Sequence, residues 1–145
     1  MTRIAAALFV IALLLTTYAD RVALGDGNPF DYFGYFTNQT SLLAAAVVLT
    51  TGAISVRGRR PPPWLANARG ILVSCLIVVA VIYNGLVPGT GTAPPWVSAI
   101  LHVWFPLFVL LDWLLVGDRD PLPWRRLWLV LPYPLVWLAV VLVRG

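Results

Sequence analysis

Five consecutive polar residues, Thr37 to Ser41, begin an otherwise apolar segment, and the only histidine, His102, lies inside another. Polar side chains are costly in hydrocarbon unless they are paired, so their presence at a membrane span suggests a function. A hydroxyl next to an imidazole can act as a nucleophile, because the imidazole removes its proton. Backbone amides at a helix start can hold the resulting oxyanion. We therefore predict Thr37 as a nucleophile and His102 as its base.

Polar groups from three predicted helices reach a similar depth near one membrane surface. The run Thr37–Ser41 begins the second helix, and Tyr83 and Asn84 end the third. His102 lies about 9 Å into the fourth helix, at a rise of about 1.5 Å per residue. We expect Asn84, Tyr83, Gln39 or a backbone carbonyl to orient the imidazole. The predicted supporting residues are Asn38, Gln39, Ser41, Tyr83 and Asn84.

Pro106 follows His102 by four residues and has no amide hydrogen to donate to the carbonyl of residue 102. The sequence therefore predicts a kink beside the imidazole and a free carbonyl that a side chain or water can use. Structural alternatives remain open for both residues. His102 could be a neutral hydrogen-bond partner between helices, and Thr37 could simply cap its helix.

Asp112 belongs to a different part of the predicted bundle. It lies about 15 Å further along the helix than His102 and is rotated by about 80° around the helix axis. It therefore cannot orient the imidazole. We interpret Asp112 as a structural residue that forms an ion pair with an arginine of the inner loops, such as Arg57 or Arg126.

The composition indicates an integral membrane protein. Apolar residues make up 60% of the chain and charged residues 11%, and the mean hydropathy is +0.85. A bilayer core about 30 Å thick needs roughly 20 apolar residues per helix. We predict an all-α bundle of five transmembrane helices that forms one domain over residues 1–145. The predicted helices are Ile4–Ala19, Thr37–Val56, Gly70–Val87, Trp96–Val116 and Leu127–Val143.

The first apolar segment has a second interpretation as a signal peptide, because Arg3 precedes it and the small residue Ala19 ends it. The run is long for such a peptide, and Thr17–Ala19 matches a cleavage site poorly. We therefore favour an uncleaved helix.

The arginines predict the orientation of the bundle. All ten basic residues are arginine; five helices place eight of them on the side of the N-terminus and leave only Arg21 and Arg144 on the other. The positive-inside rule then puts the N-terminus in the cytoplasm. We expect a multi-pass protein of the cell membrane. The net charge of +4 is explained by this topology, and we expect no nucleic-acid partner.

Several short motifs together resemble a known family. They are Tyr35-Phe36-Thr37-x-Gln39, Val81-Ile82-Tyr83-Asn84, Leu101-His102-x-x-x-Pro106, Leu111-Asp112-Trp113-Leu114, Pro134-Leu-Val-Trp137 and Val143-Arg-Gly145. Over about Phe33–Gly145 the chain is similar to a bacterial family of small integral membrane proteins. That family is related to the animal androgen-induced-gene membrane proteins.

The resemblance implies a bacterial inner membrane as the location, an activity and a site. The animal relatives are threonine hydrolases that cleave fatty acid esters of hydroxy fatty acids. By position in the motifs, Thr37 matches their nucleophile and His102 their histidine. The family has Ser-Asn where this chain has Thr40-Ser41, and it normally has a sixth helix. The end at Gly145 predicts a truncated product, a five-helix variant, or a bundle that a homo-oligomeric partner completes.

Two classes of function follow from these observations. The leading prediction is hydrolysis of a lipid-like ester at an outer-leaflet Thr37–His102 site, with membrane lipid around it. One histidine, one cysteine and no glutamate form no convincing metal-ligand set, so we expect no metal and no cofactor. The alternative is a non-enzymatic protein that binds a lipid or partner helices. A proton-coupled carrier is disfavoured because the sequence has no inverted repeat.

Overall fold

The computed structural model describes residues 1–90, 93–119 and 121–144. Within these residues the protein is all-α, and five helices are long and apolar enough to cross a membrane, which confirms the predicted fold class. Gly91 and Gly145, the second of which ends the resembling segment, lie outside the described residues. The helices are α1 (Thr2–Ala23), α2 (Pro29–Phe33), α3 (Phe36–Val56), α4 (Pro63–Leu86), α5 (Pro95–Leu115) and α6 (Trp124–Arg144).

The start of α4 differs most from the prediction. Helix α4 begins at Pro63, whereas the sequence analysis placed the start at Gly70. A proline is compatible with the first helical turn, because the amides there have no partner within the helix. The earlier start makes Arg69 a helical residue, and its side chain is buried in the bundle.

The core lies between α1, α3, α4 and α5. Helix α1 contributes four buried apolar residues to this core. Gly52 on α3 allows α1 to approach closely, since a Cβ there would lie 3.0 Å from the Cβ of Arg3. The buried residues of α1 in this core are Ala7, Val10, Leu13 and Leu14.

Helix α6 lies at the edge of the bundle, and none of its described residues is buried. Polar side chains attach it to the segment that leads into α3. The indole nitrogen of Trp137 donates to the carbonyl of Gly34 at 2.7 Å, and Arg144 pairs with Asp31 at 3.1 Å. Aromatic packing adds to these bonds, because the ring centroid of Phe36 on α3 lies 5.4 Å from that of Tyr133 and 5.0 Å from that of Trp137.

Candidate functional site

Helices α3 and α5 bring Thr37 and His102 together. The hydroxyl Oγ1 of Thr37 lies 3.3 Å from Nε2 of His102. Tyr35 is the N-cap residue of α3 and makes no side-chain capping bond. Thr37 is therefore the second residue of the helix, and its hydroxyl faces the imidazole instead of capping the helix.

The other ring nitrogen of His102 fixes the tautomer of the imidazole. Nδ1 lies 2.9 Å from the backbone carbonyl oxygen of Ser98. Because a carbonyl oxygen only accepts, this geometry places a hydrogen on Nδ1. In the neutral ring, Nε2 then carries the lone pair and can accept the hydroxyl hydrogen of Thr37. A general base needs this arrangement. Of the orienting groups expected from the sequence, a backbone carbonyl is the one that holds Nδ1.

Tyr83 and Ser98 fix the plane of the imidazole. The rings of Tyr83 and His102 stack with centroids 3.6 Å apart and planes inclined by 12°. Ser98 Oγ donates to the hydroxyl of Tyr83 at 2.7 Å and lies 3.1 Å from Nδ1 of His102. Sequence reasoning missed Ser98, although a position four residues before His102 lies on the same helix face.

The helix around His102 is irregular, as Pro106 predicts. Residues Ile100–Trp104 form a π-turn within α5. The Nδ2 group of Asn84 donates to the backbone carbonyl of His102 at 3.1 Å. The expected free carbonyl is thus used by a side chain of α4, and this bond joins α4 to α5 beside the site.

Three other predicted site residues do not contact His102. Asn38 donates to the carbonyl of Tyr32 at 2.9 Å and so fixes the entry into α3. Gln39 accepts from the hydroxyl of Tyr133 at 3.1 Å, on the side of α3 that faces α6. Ser41 is fully buried, and its hydroxyl has no hydrogen-bond partner among the described residues. Side-chain direction around α3 separates Asn38 and Gln39 from Thr37, whereas Ser41 lies about one turn further along the helix.

The pair Thr37 and His102 is half-buried. Two cavities, of about 350 and 820 Å³, lie elsewhere in the bundle, and neither is lined by Thr37 or His102. The neighbouring side chains Val103 and Trp104 are exposed on the outside of α5. The pair therefore lies beside exposed apolar side chains of α5 and outside these two cavities.

Asp112 forms ion pairs, but its partners are not the predicted Arg57 or Arg126. Its carboxylate lies 2.6 Å from Nε of Arg3 and 2.7 Å from Nη2 of Arg69. The prediction was wrong about the partners because α4 starts earlier than expected, which turns Arg69 towards α5, and because Gly52 brings Arg3 close.

Asp118 completes this cluster and was not singled out from the sequence. It pairs with Arg3 and lies 2.8 Å from Nη1 of Arg69. Burial by itself raises the pKa of Asp118, but hydrogen bonds from Arg3 and Arg69 outweigh it and bring the pKa below its ordinary value. The four residues Arg3, Arg69, Asp112 and Asp118, named here the ion-pair cluster, join α1, α4, α5 and the loop after α5.

Comparisons with known proteins give no match: no family model, no curated protein and no solved structure matches this chain. The family resemblance of the short motifs therefore remains a hypothesis. Length and hydropathy of the helices establish a multi-pass membrane protein of five helices within the described residues.

Proposed function

We propose that this protein hydrolyses lipid-like esters, with Thr37 as the nucleophile and His102 as the general base. One observation carries the proposal. The Thr37 hydroxyl is 3.3 Å from an imidazole nitrogen whose partner nitrogen is held by a backbone carbonyl in the tautomer that a base requires. Hydrogen bonds at catalytic sites are often long before substrate binds, so this distance is compatible with proton transfer.

The reaction would take place in two stages. Oγ1 of Thr37 attacks the acyl carbon while Nε2 of His102 takes its proton, and the acyl C–O bond then breaks as the imidazolium returns that proton to the leaving alcohol. Water next attacks the acyl-threonine with His102 again as base, which releases the fatty acid and restores Thr37. Each stage consumes and returns one proton at His102.

The start of α3 would stabilise the charge that develops on the acyl oxygen. The amides of the first helical turn have no partner within a helix, and α3 has no side-chain cap to occupy them. Amides without another partner can donate hydrogen bonds to an oxyanion and stabilise it. The apolar outer surface suits a lipid ester that enters sideways, and the arginine distribution suggests an outer-leaflet site in a bacterial inner membrane.

A non-enzymatic packing role is the second candidate, and a specific observation favours it. Thr37 links α3 to α5 through His102, and Asn84 links α4 to α5 through the carbonyl of His102. Hydrogen bonds of this kind commonly join helices in membranes. The same contacts would hold three helices together in a protein that binds a lipid or partner helices.

An ester-hydrolysis assay on matched variants separates the two candidates. The purified protein in detergent would be incubated with fatty acyl esters, with Thr37→Val, Thr37→Ser and His102→Gln compared with wild type. We expect Thr37→Val and His102→Gln to lose activity by roughly 100-fold or more, because both remove the proton transfer. Thr37→Ser keeps a hydroxyl and should retain part of the activity.

Thr40→Val is the matched control, because Thr40 lies on the same helix but contacts Tyr133 at 3.0 Å, not His102. This variant should keep near wild-type activity. Absence of hydrolysis in the wild type would overturn the hydrolase proposal. So would unchanged activity in Thr37→Val and His102→Gln, and a lowered melting temperature in those variants would then support the packing role.

A further inference from the structure

Two adjoining cavities lie at the end of the bundle opposite the Thr37–His102 site. Ser55, near the end of α3, lines the larger cavity, whereas Thr37 is near the start of the same helix. The larger cavity has a volume of about 820 Å³ and the smaller about 350 Å³. Both are lined by Leu122, Pro123 and Arg126, so the two cavities adjoin at these residues.

The larger cavity is strongly basic. It is enclosed by the α3–α4 connection, the loop after α5 and the start of α6, and Asp118 is the one acidic residue among the described residues that line it. The arginines that line it are Arg59, Arg60, Arg69, Arg119 and Arg126.

Most of this positive charge has no compensating carboxylate among the described residues. Arg69 and Asp118 belong to the ion-pair cluster, in which two arginines face two aspartates and the charges balance. The other four arginines of the cavity form no ion pair with any described residue. Within the described part of the chain, those four positive charges line the cavity without a carboxylate partner.

The surroundings of Arg119 disfavour its positive charge. Its guanidinium lies over the ring of Trp113, 3.5 Å from the ring centroid. Its Nε is buried and has no hydrogen-bond partner among the described residues. Burial and the charge of Arg69 lower the pKa of Arg119 from its ordinary value. A bound anion would offset both effects.

The smaller cavity is largely apolar and runs between α4, α5 and the start of α6. Its shape depends on Gly70, because a Cβ there would lie 3.2 Å from both Leu122 and Trp113. Apolar side chains from the three helices form most of its wall, including Ile71, Ile77, Leu110, Leu114 and Leu127. An unbranched hydrocarbon chain fits such a surface.

We infer that the two cavities together bind one anionic phospholipid, with its phosphate among the arginines of the larger cavity and an acyl chain in the smaller cavity. Guanidinium groups bind phosphate through charge-assisted hydrogen bonds, often two per group. Basic pockets between transmembrane helices bind lipid headgroups in this way. The site is separate from Thr37 and His102, so the inference does not depend on the proposed hydrolysis.

Native mass spectrometry of the whole protein in detergent tests the inference. The probes are dihexanoyl phosphatidylglycerol, dihexanoyl phosphatidylcholine and inorganic phosphate. Phosphatidylglycerol should bind most tightly, since it alone combines a net negative headgroup with acyl chains. The double variant Arg60→Gln/Arg126→Gln should weaken this binding roughly 25-fold, because each arginine near an anionic lipid contributes about fivefold.

The matched control is Arg57→Gln/Arg125→Gln. These two arginines belong to the same two segments and are exposed, but they do not line the cavity. The control should bind phosphatidylglycerol as the wild type does, and circular dichroism would verify that both double variants are folded. Equal weakening in both variants would overturn the inference in favour of diffuse charge attraction. Equal binding of phosphatidylcholine, or binding of inorganic phosphate as tight as that of the lipid, would also overturn it.

Discussion

The side-chain amide of Asn84 takes the role of the backbone hydrogen that Pro106 lacks. In a regular α-helix the amide of residue 106 would donate to the carbonyl of residue 102, and proline cannot. Asn84 donates to that carbonyl at 3.1 Å and also to the carbonyl of Ala80 at 2.7 Å. The bond fixes the backbone at His102, so Asn84 positions the imidazole without touching it.

This compensation predicts an energetic coupling between Asn84 and Pro106. Asn84→Ala should lower the free energy of unfolding by about 1 kcal/mol, because it leaves the carbonyl of His102 without a donor. In a Pro106→Ala background the new backbone amide can donate instead, so the same substitution should cost less. Reversible unfolding of the four proteins in mixed micelles would measure the coupling. An equal cost of Asn84→Ala in both backgrounds would contradict it.

At the scale of elements, the ion-pair cluster sets the rotation of three helices. Arg3 on α1 and Arg69 on α4 are more than nine-tenths buried, and both contact Asp112 on α5. Buried charges left without a partner are strongly destabilising, so alternative rotations of these helices would be penalised. The cluster therefore contributes to a unique arrangement of the bundle, and Asp118 extends it to the following loop.

The free energy of unfolding should depend on pH through Asp118, which lies in the loop after α5. The folded protein lowers the pKa of Asp118, whereas an unfolded aspartate titrates near about 3.9. Its contribution is therefore present above the unfolded pKa and is lost as the pH falls through the folded pKa. Thermal unfolding of wild type and Asp118→Asn should differ most above about pH 5, and the difference should shrink below about pH 4.

Asp20→Asn is a suitable control for that measurement, because it also removes one carboxylate but Asp20 is exposed and forms no ion pair with a described residue. A difference between wild type and Asp118→Asn that stays constant from pH 3 to 7 would contradict the prediction. It would show that Asp118 contributes by packing alone.

The five helices could be predicted because hydropathy over about 20 residues reports membrane crossing directly. Because the rise per residue of an α-helix is nearly constant, the sequence also predicted that Thr37 and His102 lie at a similar depth in the membrane. Rotation around the helix axes could not be obtained in this way. For that reason Gln39 was expected at the site and Arg69 was not recognised as the partner of Asp112. Ser41 lies on the helix face of Thr37 but about one turn further along α3.

For the whole molecule, packing is uneven. The first four spanning helices share a common core, whereas α6 has no buried residue among those described and contacts α3 through Tyr133, which bonds Thr40 at 3.0 Å and stacks on Phe36. Regions with few buried apolar contacts open most readily in folded proteins. The smaller cavity, which we propose holds an acyl chain, lies beside the start of α6. A bound lipid would therefore add apolar contacts to the one spanning helix that has no buried residue among those described.

The orientation of the whole molecule decides which membrane leaflet each site meets. Eight arginines lie on the side of the N-terminus and two on the other side. This distribution predicts that the ion-pair cluster and the larger cavity face the cytoplasm, with Thr37 and His102 near the opposite surface. In a Cys75→Ala background, Leu24→Cys and Gly117→Cys would place one exposed thiol at each end. A membrane-impermeant maleimide should label Leu24→Cys in intact spheroplasts and label Gly117→Cys only after permeabilisation. The reverse labelling pattern would contradict the predicted orientation. The larger cavity would then face the outer leaflet and could not bind anionic lipids of the cytoplasmic leaflet.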